Sequence, residues 1–226
     1  SYNDATAESL IVLDSANTTV TGSVENNQLG TIILKGINEF DGTVTNKVDA
    51  EISTTISTTV ATNNNVFESI INYGAVNLDA TSDIVNSMTN NNSVNTTNNT
   101  DFGTISNSGT ITVTGNTSFN GNVDGNGTLD ISGRATLDNA EIKQAQKIKL
   151  NNGTLLFLKD ANAKVSFIGN DDIIGATAQI IPEAGTVVLN NKSIVQDNLF
   201  IDNAYNSKVS VNLNSSVINL ENAQLD

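Results

Sequence analysis

Two short segments, GTITVTG at 109–115 and GTLDISG at 127–133, repeat one pattern at an offset of 18. Each opens with Gly-Thr, places two apolar residues either side of one polar residue, and closes on a second Gly. A fixed step of about 20 residues is the mark of a solenoid, in which one small unit stacks on the next. The apolar pair Ile111 and Val113 falls on Leu129 and Ile131, then at an offset of 19 on Ile148 and Leu150 of KIKL, and 17 beyond that on Val165 and Phe167. A second column runs Phe119, Leu137, Leu156 at steps of 18 and 19. Further out, Val76 and Leu78 precede Ile111 and Val113 by an offset of 35, while Val187 with Leu189 and Val209 with Val211 follow at steps of 22.

At about 3.3 Å per residue in a strand, such a step makes a flattened ring of two or three short strands with bends between them. Rings stacked about 4.8 Å apart pair each strand in parallel with the one below, so inward positions are expected to be apolar and to stack like on like. The sequence therefore predicts an all-β chain: a right-handed parallel β-helix with coils of about 18–22 residues, roughly 8 to 11 of them over 1–226, read as one solenoid. The longer steps are expected to hold loop excursions: the Asn/Ser/Thr-rich stretch 86–100, and the segment with Asn170, Asp171, Asp172 and the only Pro, Pro182.

Near the N-terminus, IVLDS at 11–15, TVTGSV at 19–24 and TIILKG at 31–36 have strand character but no single step. Two segments fit either period. DNAEIKQAQKIKL at 138–150 offers a helical face of Ile142, Ala145 and Ile148, but the ladder favours strand at Ile148 and Leu150. EISTTISTTVAT at 51–62 spaces Ile52, Ile56 and Val60 by four, and its β-branched content tips it to strand.

Composition agrees and excludes much chemistry. No Cys and no His are present, which removes disulfides, thiolate or imidazole metal sites, cysteine nucleophiles and the Ser-His-Asp triad. A net charge of -14 opposes binding to nucleic acid or an anionic membrane. Charged residues make up only 15%, and the polar surface is supplied by 37 Asn with many Thr and Ser. These favour turns and strands over helix. No apolar run of about 18 residues suits a spanning helix, and no basic-then-apolar leader precedes the first strand. The start at Ser1 fits a processed or excised piece, and zero Cys suits a chain that crosses an oxidising compartment unfolded.

The run GTISNSGTITVTGNTSFNGNVDGNGTLDISG at 103–133, with NNGTLLF at 151–157 and GTVVLNN at 185–191, resembles the passenger domains of Gram-negative autotransporters, in the style of the rickettsial surface cell antigens of the outer membrane protein A/B type. The resemblance covers 101–169 and, more loosely, the rest of the chain. It implies an extracellular stalk at the bacterial cell surface, anchored to the outer membrane by a C-terminal β-barrel translocator outside this chain. It also implies a role in host-cell attachment or invasion through a host surface protein or glycan. No family motif for that activity maps onto a residue here, so no catalytic, cofactor-binding or metal residue is assigned, and no cofactor is expected.

Local patterns are weighed against this background. DGNGTLD places Asp124, Asn126 and Asp130 around two Gly, as a calcium loop would begin, but lacks the closing Glu, and the strand repeat already accounts for it. The acidic group Asn170, Asp171, Asp172 reads as a solvated turn. A polysaccharide lyase or hydrolase is the enzyme alternative, needing a base or a paired acid and base. Its one basic candidate is the sole Arg, Arg134, with Asp130 and Asp138 near in sequence. Asp130 is expected to meet Thr112 and Lys149 in the ladder, so no outward acids are expected to stack. Alternating Thr110, Thr112 and Thr114 suggest an ice-binding array, but the next coil offers Thr128, Asp130 and Ser132. The structural and interaction module is therefore the expected function, with 86–100 as the displayed loop.

Overall fold

The computed structural model describes residues 8–56, 63–144, 146–169, 171–175 and 177–189, together with the strands Phe200–Ile201, Lys208–Ser210 and Gln224–Leu225. Among these residues the only regular structure is strand. Every pairing is parallel, and the strands stack into a β-solenoid of about nine turns.

Each coil contributes to three faces. The first face is built by Thr110–Val113, Thr128–Ile131 and Lys147–Leu150, in the predicted register: Ile111 opposite Leu129 opposite Ile148, and Val113 opposite Ile131 opposite Leu150. The second face carries Asn116–Phe119, Arg134–Leu137 and Leu155–Leu158. The third carries Val123–Gly125, Glu141–Gln144 and Lys164–Phe167. Towards the N-terminus the corners are smoother. Gly30–Asn46 runs as one bent strand across all three faces, with a register shift between Phe40 and Thr43 at the corner.

The alternation of apolar and polar residues decides which side chains enter the interior. Ile32, Ile52, Val76, Val94, Ile111, Leu129 and Ile148 form one buried column on the first face. On the third face Val44, Ile70, Met88, Ile105, Val123, Ile142, Val165 and Val187 form another. Stacked repeats also align rings: Phe40 lies on Phe67 at 5.2 Å and Phe102 on Phe119 at 5.7 Å between centroids, with planes 9° and 12° apart. Aligned pairs of this kind add about 0.5–1.5 kcal/mol each beyond the area they bury.

Several expected assignments are corrected. The stretch 86–100 is not an excursion: it closes Ser82–Asn90, supplies Ser93–Thr96 and opens Thr100–Asn107. The long gap from Val76 to Ile111 is two coils, with Val94 between them. Val165 and Phe167 do not follow Ile148 and Leu150. They belong to the third face, where Val165 pairs with Ile142, and Leu150 pairs instead with Ile174. Leu137 pairs with Leu158, and Leu156 with Ala135. Each coil carries three apolar-x-apolar strands, so a step of nearly one coil can land on the wrong face.

Pro182 ends the strand Gln179–Pro182 opposite Leu158 rather than lying in a loop. The N-terminal segments fall into Ser9–Val20, Val24–Asn26 and Gly30–Asn46, and they do keep a coil step, with Ser9 opposite Gly30 and Val24 opposite Val44. Residues 141–150 are strand on both sides of Ala145, which lies outside the described residues. Glu51–Thr55 is strand, while Val60 and Val211 also lie outside them.

The interior is not purely apolar. Asn26, Asn46, Asn72, Asn90 and Asn107 end successive third-face strands and are buried. The Nδ2 of each donates to the next Oδ1 at 2.8, 2.9, 2.8 and 2.9 Å in turn, and Asn107 donates onward to Gln144 at 2.9 Å. An Asn side chain has one acceptor oxygen and two N–H donors. The second donor goes to backbone carbonyls such as those of Ala75, Ser93 and Thr128. The ladder skips one coil at Gly125, whose φ is +124° and where a Cβ would sit 2.2 Å from the Asn107 carbonyl oxygen. The longer Gln144 side chain spans that gap.

Candidate functional site

The structure separates the residues that sequence proximity had grouped. Asp130, outward on the first face, lies between Thr112 and Lys149 as expected. It accepts from Lys149 Nζ at 2.9 Å and from the Asn151 amide. Asp124 is exposed on the third face beside Lys143, and Asn126 is exposed in the turn between the two strands. Among the described residues no three acidic side chains gather as a metal cluster. Thr112 meets Asp130 across the ladder, so the Thr array ends there.

Of the second acidic group, Asn170 lies outside the described residues and Asp171 is exposed. Asp172 is fully buried, which corrects the solvated-turn reading. Its Oδ1 accepts from the Ile148 N–H at 2.7 Å, and its Oδ2 has no protein partner. Burial pushes its carboxyl up to about 6, against the N–H groups of Ile148 and Gly169, which pull it down.

Outward acids do stack, at a place the sequence reading missed. Asp83 stands in direct register with Asp101 on adjacent coils of the second face. Partial burial, and then the charge of Asp101, raise the Asp83 carboxyl above its ordinary value. Beyond Asp101 the same outward column continues through Ser118, Thr136 and Phe157. The reason is alternation: Phe102, Phe119, Leu137 and Leu158 point inward, so the residues just before them face out.

Asp101, Ser118 and Thr136 of this column line an open groove of about 590 Å³, with Asn99, Asn116, Arg134 and Lys159 also in its walls. The Arg134 guanidinium carbon lies 4.1 Å from the centroid of the Phe157 ring, a cation–π contact across adjacent coils. Thus Arg134 does not sit with Asp130, its near neighbour in sequence; it shares the groove with Asp101 and Lys159. The signal that could have revealed the site was Asp83 and Asp101, each directly ahead of an inward apolar residue at an offset of 18, but the reading of 86–100 as a loop hid the coil that connects them.

No family model, curated protein or solved structure matches this chain.

Proposed function

We propose that this chain is a rigid segment of an extracellular stalk, the passenger part of an autotransporter, serving surface display and host-cell attachment without catalysis. One observation carries the reading: coil-on-coil register carried from Gly30 to Leu189, sealed inside by apolar columns and an amide ladder. Nine turns at about 4.8 Å make a rod about 40 Å long whose strand pairings are all between neighbouring coils. The Gly-Thr-apolar-x-apolar style of 103–133 supports the autotransporter assignment. The displayed surface is a face of the rod, since 86–100 is part of the coil.

Beads coated with the purified chain are expected to attach to host-cell monolayers, and fusion to an outer-membrane β-barrel is expected to bring the chain to the bacterial surface. Attachment no greater than that of beads coated with an unrelated β-solenoid would overturn the adhesive role.

A second reading, a glycan-active β-helix enzyme, is favoured by the Asp83–Asp101 stack beside the groove. Two carboxyl groups on neighbouring rungs, one raised above its ordinary value, are what acid–base cleavage of a glycosidic bond asks for. Release of reducing ends from acidic polysaccharides, abolished in Asp101→Asn, would put this reading first.

A further inference from the structure

The second-face groove is lined by two cations, Arg134 and Lys159, on a strongly acidic chain. The three ion pairs formed among the described residues are Lys47 with Glu25, Lys149 with Asp130 and Lys164 with Glu141. Neither Arg134 nor Lys159 belongs to them. Asp160, next to Lys159 in the chain, is engaged in its own turn, where its carboxylate accepts from the N–H groups of Asn139, Asn162 and Ala163. Arg134 rests on the Phe157 ring, and a guanidinium carries five N–H donors that suit a carboxylate.

Around these cations the groove is uncharged and rich in hydrogen-bonding groups: Asn116, Ser118 and Thr136. At the other end stands Asp101, two rungs from the coil of Arg134 and so about 10 Å away along the stack. The groove therefore offers a carboxylate seat at one end, a hydroxyl and amide floor, and an acceptor for hydroxyl donors at the far end. A lone anion would use only the first of these. We infer that this groove binds a carboxylated oligosaccharide, its carboxylate held by Arg134 and Lys159 and the hydroxyls of the adjoining sugar reaching Ser118, Thr136 and Asp101. The ligand is short, because the rest of the surface is acidic and repels an extended polyanion.

The inference goes beyond the stalk reading and stands without it, since the groove would hold such a sugar whether the chain attaches to glycans or cleaves them. The test is calorimetric titration of the purified chain with trigalacturonate and with sialyllactose, each against its methyl ester. At least one free acid is expected to bind, to weaken as salt is raised, and to bind about tenfold or more tightly than its ester. Preference for trigalacturonate identifies a uronate and preference for sialyllactose a sialate; either result supports the site. Arg134→Ala and, separately, Lys159→Ala are each expected to weaken binding about tenfold, with the circular dichroism spectrum unchanged, while Lys35→Ala leaves binding as it was. Lys159 is exposed beyond the strand end, so its variant keeps the test open should Arg134→Ala disturb the coil. No binding of either acid up to about 10 mM, equal binding of acid and ester, or unchanged binding in both variants would each overturn the inference.

Discussion

Asn46 donates from its side-chain amide to the Oδ1 of Asn72 at 2.9 Å, across one coil and 26 residues of sequence, with both side chains fully buried. Asn72 passes the pattern on to Asn90 at 2.8 Å and also donates to the Ser93 carbonyl at 3.0 Å. The spacing of rungs, about 4.8 Å, is what a side-chain amide can bridge, so the solenoid repeat and the ladder enforce each other. An Asn72→Ala chain loses these bonds and leaves buried partners unmatched, at roughly 1–3 kcal/mol for each group left unsatisfied. The expected outcome is a loss of about 3 kcal/mol in denaturant unfolding. Asn77→Ala removes the outward bonds to Glu51 and Asn95 and is expected to cost less than about 1 kcal/mol, since water replaces them.

The aromatic column makes a second expectation. Phe119 is fully buried, stacked on Phe102 and in register with Leu137. Phe119→Ala empties a ring-sized space in a rigid stack and is expected to cost about 3–5 kcal/mol. A loss below about 1 kcal/mol in chemical unfolding would mean that the coils above and below close the gap.

The columns show how much of the fold was legible. Ile111, Leu129 and Ile148 could be read directly, because an inward β-branched or Leu side chain beside an outward polar one is a local pattern. The inward Asn residues of the ladder could not: in a chain with 37 Asn, these five differ from those in corners only in ending the segments VEN, VTN, IIN, MTN and ISN. The segment 86–100 misled for the same reason. Its buried Asn90, Thr96 and Thr100 look like loop residues until the ladder gives each a partner or a place in the stack. The groove was less legible still, since Asp101, Arg134 and Lys159 come from three coils and meet only through register.

That register supplies a deletion test. Ala75 and Ser93 occupy equivalent positions on successive coils, so removing 75–92 joins Gly74 to Ser93 and excises one whole coil. Asn72 is left to meet Asn107 in the ladder, and Phe67 to meet Phe102. This shortened chain is expected to keep its strand signal in circular dichroism and its cooperative unfolding, as nearest-neighbour stacking allows. Removal of 86–100 takes out 15 residues where a coil from Asp83 to Asp101 is 18, so it joins Val85 to Asp101 with about three surplus residues at the junction. That chain is expected to unfold at lower denaturant than the 75–92 deletion, because the surplus residues interrupt the second-face stacking of Ile84 and Phe102 at the junction.

Asp172 makes one contribution to the pH dependence of stability. Its carboxyl is held at about 6 in the fold by burial, with Asp171 adding to the rise and Lys147 opposing it, whereas an unfolded chain returns it to the ordinary range near 3.9. Between those values the folded chain binds the proton more tightly than the unfolded chain does. The contribution to stability is therefore fully present below about pH 4 and is lost as pH rises through about 6, reaching at most roughly 3 kcal/mol. Asp172→Asn keeps an Oδ1 acceptor for the Ile148 N–H and removes the buried charge. Urea midpoints measured from pH 4 to pH 8 are expected to show the variant more stable than the parent at pH 8, with the difference shrinking towards pH 4. A constant difference across that range would mean that Asp172 is not protonated in the fold at acid pH.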